Sequence, residues 1–210
     1  MSTDLETACR ERVLGLTGGI GCGKSTLGGI LAEEGWGVVD SDLIARELMA
    51  PGRENWKNMV DGFGPEILNK DQSINRRVLG EMVFGDPAAR SKLNELTHPS
   101  IRAAWNSQRD EFLLRQPTQP VVVVIPLLFE VGLEAEFGHI ASVGCTEDTQ
   151  WQRLRTREWP EEHIRQRMAS QLPLAEKMQL SHTVFWNEGS VEQLRSQVRL
   201  FAAHWPRPMD

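Results

Sequence analysis

The apolar residues of the 210-residue chain follow two kinds of pattern. Short apolar runs with little polar alternation are typical of strands buried in a parallel sheet. Five such runs occur, at residues 13–17, 36–39, 121–125, 140–145 and 183–186. Between them, apolar residues recur at the three- and four-residue spacing of helices. The pattern predicts an α/β fold: a doubly wound, five-stranded parallel sheet with helices on both faces.

A long helical stretch separates the second predicted strand from the third. From residue 43 to residue 116 the apolar positions keep a helical spacing, with breaks at glycine and proline pairs. We expect Pro99 to interrupt the last of these helices, because proline lacks a backbone N–H and disfavours the helical conformation of His98 before it. The length of the stretch predicts a helical insertion in the sheet domain.

The first predicted strand runs into a glycine-rich loop and then into a helix. The loop reads Gly18-Gly19-Ile20-Gly21-Cys22-Gly23-Lys24-Ser25-Thr26, which fits the phosphate-cradling pattern of Gly, four residues, Gly, Lys and Ser. Backbone N–H groups and the positive end of the helix dipole then face one point, which favours a polyphosphate. Lys24 can reach the β- and γ-phosphates, and the Ser25 hydroxyl can ligate Mg²⁺. The flanking strand and helix indicate a nucleotide site rather than a chance glycine-rich turn.

Two carboxylates follow the second predicted strand. Asp40 and Asp42 are two residues apart, so in an extended segment both side chains point the same way. Ligands of open α/β sheets bind beyond the carboxyl ends of the strands. A carboxylate there can accept the proton of an attacking hydroxyl or hold Mg²⁺ through water. The alternative is that one of them caps the next helix; this alternative weighs more heavily on Asp40 than on Asp42.

Composition and charge argue against nucleic-acid-binding, membrane and secreted proteins. The formal net charge of −6 argues against a general nucleic-acid binder. The three cysteines are far apart, which indicates reduced thiols rather than a zinc site or disulfides. The longest apolar run, residues 121–129, is too short to span a bilayer, and the polar, acidic residues 1–12 are unlike a signal or transit peptide. We therefore expect a cytoplasmic protein that binds neither nucleic acid nor membrane, as a monomer or weak homo-oligomer.

Four segments together resemble the dephospho-coenzyme A kinase family. They are residues 15–26, Val39-Asp40-Ser41-Asp42, Leu96-Thr97-His98-Pro99 and Ile125-Pro126-Leu127-Leu128-Phe129-Glu130. The similarity continues through Arg153, Arg157, Gln171, Lys177 and Asn187-Glu188-Gly189, and so covers about residues 12–190. The glycine loop alone is shared by many families, whereas the combination is specific. The resemblance implies a P-loop kinase that phosphorylates the ribose 3′-hydroxyl of dephospho-coenzyme A with ATP and Mg²⁺, the last step of coenzyme A synthesis.

The resemblance also implies roles for single residues. Asp42 matches the family's proposed general base. His98 either faces the substrate or caps a helix end, and the resemblance favours the acceptor site. Phe129 follows the third strand, where it either lines the substrate cleft or packs in the core. Asn187 lies where the family contacts adenine, although a strand-to-helix turn often contains Asn in any case.

Arginines are concentrated between the fourth and fifth predicted strands. Arg153 and Arg157 are four residues apart, so we expect them to share a helix face, with Arg155 pointing elsewhere. Phosphoryl transfer needs guanidinium groups over the transferring phosphate. We therefore expect Arg157 to act from a mobile lid and Arg153 to bind the nucleotide, whereas the alternative is that these charges are simply solvated or paired with nearby glutamates.

Two departures from the family pattern concern the lid and the loop. Residues 157–160 form a short Arg-Glu-Trp-Pro segment without the family's glycine, and Cys22 stands where serine is usual. Cys22 precedes a helix N-terminus and lies near Lys24, both of which lower a thiol pKa. We expect it to be partly exposed and reactive; the alternative is burial, which would make it inert.

We predict one P-loop kinase domain over residues 1–210. Its core comprises residues 12–42, 117–146 and 181–204, with an acceptor-binding insertion at about 43–116 and a lid at about 147–172. A shikimate-type small-molecule kinase is the alternative enzyme, since it also places Asp-Ser-Asp after its second strand, but its Gly-Gly-Gly substrate loop is missing here. A GTPase-like regulator would need an Asn-Lys-X-Asp motif, which the sequence lacks.

Overall fold

The computed structural model describes residues 11–83, 85–157 and 159–205. Within these ranges five strands form one sheet, in the order β2-β3-β1-β4-β5. The strands are β1 Val13–Gly18, β2 Gly37–Asp40, β3 Val121–Val124, β4 His139–Gly144 and β5 Thr183–Trp186. The pairs β1–β3, β1–β4 and β4–β5 are parallel. The predicted doubly wound, five-stranded parallel sheet is confirmed.

Helices connect the strands. They are α1 Lys24–Glu33, α2 Ser41–Leu48, α3 Glu54–Phe63, α4 Arg76–Val83, α5 Pro87–Arg115, α6 Glu147–Arg155, α7 Glu161–Ala169, α8 Leu174–Leu180 and α9 Val191–Ala203. Polar residues immediately before three of them fix their starts: Asp40 caps α2, Thr146 caps α6, and Ser190 forms a capping box with Gln193 on α9. No helix in the described part of the chain is both long enough and apolar enough to cross a membrane.

The backbone divides into two compact units. One runs up to Val39 and resumes at Arg109, and it is built on the sheet. All residues of β1 and β3 are buried, as the lack of polar alternation predicts for central parallel strands. The core of this unit packs α1 and α9 against the sheet, through Leu27, Leu31, Leu194 and Val198 among others.

The second unit, Asp40–Gln108, is helical. Its core comprises Met59, Ile67 and Leu79, from α3, the following turn and α4, with partly buried apolar residues packed around them. The side-chain amide of Asn55 donates to Ser100 Oγ at 2.7 Å and so ties α3 to α5. The finer division of the chain into core, insertion and lid stays a prediction.

Helix α5 continues through Pro99, so the predicted interruption at this proline is wrong. A proline inside a helix removes one backbone donor. Hydroxyl groups on either side bind the helix's own carbonyls: Thr97 Oγ1 donates to Leu93 O at 2.8 Å, and Ser100 Oγ donates to Thr97 O at 2.9 Å. Several helical turns flank Pro99 on each side, and their packing outweighs the local preference for a break.

Candidate active site

The glycine-rich loop joins β1 to α1 through left-handed backbone. Gly18, Gly21 and Gly23 have φ angles of 140°, 79° and 102°, a region that other residues rarely adopt. Gly23 is the N-cap of α1 and provides no side chain to cap it. The first N–H groups of a helix lack partners within the helix, and they form a site suited to an anion.

Neighbouring side chains leave no room for a Cβ atom on the loop. A Cβ at Gly23 would lie 2.2 Å from Asn187 Nδ2, and one at Gly19 would lie 2.6 Å from Gln150 Nε2. A Cβ at Gly21 would contact Leu154 at 3.1 Å. Side chains of helix α6 and of the turn after β5 therefore pack directly against the loop backbone. This close packing requires glycine, because any other residue would place a Cβ atom against them.

Arg153, Asn187 and the loop form one hydrogen-bonded group. The Asn187 side-chain amide donates to Cys22 O at 2.8 Å, and Arg153 Nη1 donates to the same carbonyl at 3.4 Å. Arg153 Nη2 also donates to Asn187 O at 2.9 Å. Asn187 is 7% exposed, and its backbone N–H donates to Gly144 O at 2.7 Å, so it is fixed to the end of β4. These contacts hold the carbonyl of Cys22 in place directly before α1.

Lys24 and Ser25 occupy the first turn of α1. Lys24 Nζ donates to Gly18 O at 2.8 Å and to Gly19 O at 3.0 Å, so the ammonium group lies against the start of the loop. Ser25 and Thr26 are exposed. The loop therefore combines a cation, two hydroxyl groups and the N-terminus of a helix, which together suit a phosphate group.

A model of the dephospho-CoA kinase family, CoaE, matches residues 12–193 of the chain. The chain belongs to the dephospho-CoA kinase family. Members of a kinase family transfer a phosphoryl group, with ATP as the donor. The match favours this family over the shikimate-type alternative.

Individual relatives agree with the family match. The dephospho-CoA kinase of Geobacillus kaustophilus is 39% identical over 193 residues, which are 91% of this chain and 96% of the relative. That of Thermosynechococcus vestitus is 41% identical over 188 residues, 88% of this chain and 90% of the relative. Among solved structures, the dephospho-CoA kinase from Campylobacter jejuni is 25% identical with a TM-score of 0.60, covering 91% of this chain and 96% of that chain. The Thermus thermophilus protein TT1252 is 30% identical with a TM-score of 0.75, covering 91% and 97%.

The two aspartates of this dephospho-CoA kinase family member differ in their surroundings. Asp40 Oδ1 accepts from the backbone N–H groups of Asp42 at 2.8 Å and Leu43 at 3.2 Å, so Asp40 does cap α2. Asp42 is exposed in the first turn of the same helix, where the helix dipole favours a carboxylate. The roles of general base for Asp42 and metal ligand for Asp40 stay predictions.

The structure shows the surroundings of the two residues predicted to bind the acceptor. His98 is half-buried on α5, and burial lowers its pKa below the ordinary value, which favours the neutral ring. Phe129 is 9% exposed, as the core interpretation predicts. Contact of either residue with a substrate stays a prediction.

Arg153 and Arg157 do not share a helix face, so that prediction is wrong. Helix α6 ends at Arg155, and the Arg157 backbone N–H closes the final turn on Leu154 O at 3.1 Å. Pro160 follows shortly afterwards and disfavours helical backbone before it. The Arg157 guanidinium instead lies over the Trp159 ring, 5.2 Å from its centroid, and is exposed.

Cys22 is fully buried, so the expected partial exposure is wrong. Its side chain turns beneath the loop into the core, and its sulfur lies 3.7 Å from that of Cys145. The hydrogen bond from the Cys145 thiol lowers the Cys22 pKa, with help from Lys24 and against the effect of burial. The same bond and burial raise the pKa of Cys145. The lowered pKa has the expected direction, whereas exclusion from solvent favours the inert alternative.

Two glutamines contact the loop, and neither has a role that could be predicted from the sequence. Gln150 Nε2 donates to Ile20 O at 2.8 Å, and the Ile20 N–H donates to Gln171 Oε1 at 3.0 Å. Gln171 belongs to the segments that carry the family resemblance, but an isolated amide side chain gives no chemical signal in a sequence. Only the fold brings these residues to the loop.

We predict that Gly23→Ala weakens ATP binding by about 10- to 100-fold, because left-handed backbone becomes strained and the Asn187–Cys22 hydrogen bond must break. Isothermal titration calorimetry measures the change. Gly29→Ala on the same helix is the matched control, since a Cβ there meets no atom within 4 Å. It should leave ATP affinity unchanged and raise helix stability slightly. Equal ATP affinity of the two variants would contradict the account of the loop.

Proposed function

We propose that the protein transfers the γ-phosphoryl group of ATP to the ribose 3′-hydroxyl of dephospho-coenzyme A, giving coenzyme A and ADP in the last step of coenzyme A synthesis. The observation that carries the proposal is the family match over residues 12–193, which begins immediately before β1, the strand that leads into the phosphate loop. The loop's glycine-specific backbone, its lysine and the helix N-terminus support the same assignment.

We propose that Mg²⁺ accompanies ATP. The described residues contain no group of three or more His, Cys, Asp or Glu side chains that could hold a metal by themselves. Mg²⁺ bound with a nucleotide instead uses one or two protein oxygens, phosphate oxygens and water. The exposed Ser25 hydroxyl fits this requirement, and Asp40 would contribute through water. The ion would neutralise charge that develops on the phosphates.

The loop and the side chains that contact it would bind and orient the nucleotide. Backbone N–H groups of the loop, residues 18–26, other than the Ile20 N–H that donates to Gln171, would hold the phosphates. Lys24 would move from the carbonyls of Gly18 and Gly19 to the β- and γ-phosphate oxygens. Arg153 and Asn187 support the loop directly through the Cys22 carbonyl. Their position beside the loop also suits contact with the nucleotide itself.

Proton transfer and charge stabilisation complete the proposed reaction. The Asp42 carboxylate takes the proton of the 3′-hydroxyl. At the same time the 3′-oxygen bonds to the γ-phosphorus, and the bond between that phosphorus and the leaving ADP oxygen breaks. Arg157 leaves the Trp159 ring and places its guanidinium against the charge on the transferring phosphoryl group. His98, as a neutral ring, and Phe129 would contact the acceptor.

We also propose that the enzyme works in the cytoplasm, as a monomer or weak homo-oligomer. Cys22 and Cys145 are free thiols although their sulfurs are near each other. Free thiols of this kind suit a reducing compartment.

A coupled assay of ADP release tests the proposed function. Purified protein is supplied with Mg-ATP and with dephospho-coenzyme A, shikimate or no acceptor. Release that depends on dephospho-coenzyme A supports the proposal. Release with shikimate alone would favour the alternative kinase, and equal release in all three reactions would indicate simple ATP hydrolysis.

For the proposed base, we predict that Asp42→Asn lowers kcat by about 10²–10⁴-fold and leaves ATP affinity nearly unchanged, because the amide keeps the shape but accepts no proton. If the transition state is loose, the base contributes less, and the fall in kcat should be about 10²-fold. Asp61→Asn, at an exposed position of α3, is the matched control and should retain normal kcat. Steady-state kinetics that show normal turnover for Asp42→Asn would remove Asp42 from the mechanism.

For the lid, we predict that Arg157→Ala lowers kcat more than it weakens ATP binding, because its charge is needed chiefly in the transition state. Arg155→Ala is the matched control, since Arg155 pairs with Glu161 at 2.9 Å and lies over the Trp151 ring. Its kcat should remain close to normal. If both variants lose the same activity, Arg157 supplies only general positive potential.

A further inference from the structure

The backbone of Ile20, in the middle of the phosphate loop, is bound by glutamine side chains at both of its peptide groups, Gly19–Ile20 and Ile20–Gly21. Its carbonyl accepts from Gln150 Nε2 at 2.8 Å, and its N–H donates to Gln171 Oε1 at 3.0 Å. Gln150 is 6% exposed, and Gln171 is half-buried. We call Gln150, Gln171 and the backbone N–H and C=O groups of Ile20 the Ile20 clamp.

The two glutamines come from the two ends of the arginine-bearing segment. Gln150 lies on α6, one turn before Arg153. Gln171 follows α7 and precedes α8. The segment between them carries Arg153, Arg157 and Trp159. Both ends of the proposed lid therefore bind the backbone of one loop residue.

The Gln171 end is also anchored to the loop that follows β3. The backbone N–H of the next residue, Leu172, donates to Glu130 Oε1 at 2.8 Å. Lys177, which is fully buried, pairs with Glu130 at 2.7 Å and donates to Pro126 O at 2.7 Å. The Lys177 ammonium is buried, so loss of the Glu130 carboxylate would leave a buried charge without this partner, and the pair therefore holds its neighbours in one arrangement. The contacts of Leu172 and Lys177 therefore hold the backbone beside Gln171 in place, with the Gln171 side chain against Ile20.

The clamp selects one orientation for each of the two peptide groups that flank Ile20, a residue with glycine on both sides. Gly19 and Gly21 permit many backbone conformations, so the loop by itself would lose considerable entropy when it orders around phosphate. One hydrogen bond holds the N–H of the Gly19–Ile20 peptide and the other holds the carbonyl of the Ile20–Gly21 peptide, so both peptide planes are fixed before the nucleotide binds. They also engage the Ile20 N–H with Gln171, which leaves phosphate binding to other N–H groups of the loop.

We propose that Gln150 and Gln171 are positioning residues that order the phosphate loop for ATP and tie it to both ends of the lid. This inference rests on the proposed function in that it takes ATP as the ligand of the loop. Preorganisation of this kind lowers the cost of binding, so its loss should appear in the affinity for the nucleotide and not in that for the acceptor.

The test uses Gln171→Met and Gln150→Met, which keep side-chain length and remove one hydrogen bond each. Calorimetric titration with a non-hydrolysable ATP analogue should show about 5- to 10-fold weaker binding for each variant. KM for ATP should rise accordingly, while KM for dephospho-coenzyme A stays unchanged. The double variant should lose less than the product of the two single effects, because both act on the backbone of the same residue.

Hydrogen exchange of the loop gives a second readout that does not depend on activity. A peptide that covers residues 18–25 should exchange faster in Gln171→Met than in the unmodified protein. Gln171→Glu keeps the acceptor for the Ile20 N–H and should restore slow exchange. Gln166→Met is the matched control on α7, where the Gln166 amide donates to Glu162 within the same helix, and it should change neither exchange nor nucleotide affinity.

Two results would overturn the clamp. One is normal nucleotide affinity together with normal loop exchange in Gln171→Met. The other is an equal rise of both KM values with a lowered melting temperature in every glutamine variant, including Gln166→Met, which would indicate general destabilisation. If the unmodified protein binds the nucleotide analogue but does not phosphorylate dephospho-coenzyme A, the proposed acceptor is wrong, and the affinity and exchange measurements still decide the clamp.

Discussion

The close approach of side chains to the glycine loop is the constraint on which the rest of the site depends. The amide of Asn187 reaches the Cys22 carbonyl only because Gly23 has no Cβ, and α6 reaches the loop only because Gly19 and Gly21 have none. Each hydrogen bond contributes on the order of 1 kcal/mol. Their common effect is to hold the loop backbone in its left-handed conformations directly before the N-terminus of α1.

Local donors explain how an acidic protein can bind a polyphosphate. The chain has a formal net charge of −6, so its overall potential does not attract anions. Lys24, Arg153 and the N-terminus of α1 place positive charge and N–H donors at one edge of the sheet. The acidic surface elsewhere does not oppose this arrangement strongly, because exposed charges beyond about 10 Å are screened at moderate ionic strength.

The elements that depend on local pattern could be predicted from the sequence, whereas contacts across the fold could not. The five strands were predicted to within one residue or so, because buried parallel strands consist of uninterrupted apolar residues. The continuation of α5 through Pro99, the end of α6 before Arg157 and the burial of Cys22 depend on packing with distant segments. The contacts of Ile20 with Gln150 and Gln171 join residues more than 120 positions apart, and amide side chains carry no signal of their own. The roles of Asp42, His98 and Phe129 rest on the family resemblance.

The central claim is that the loop binds ATP for transfer to one particular hydroxyl group. Phosphorus-31 NMR of the product formed from Mg-ATP and dephospho-coenzyme A tests it most directly, because coupling to the ribose protons identifies the phosphorylated carbon. The account predicts one new phosphomonoester at the 3′ position, formed in equal amount with ADP. A phosphate at another position, or ADP formed with inorganic phosphate alone, would contradict it.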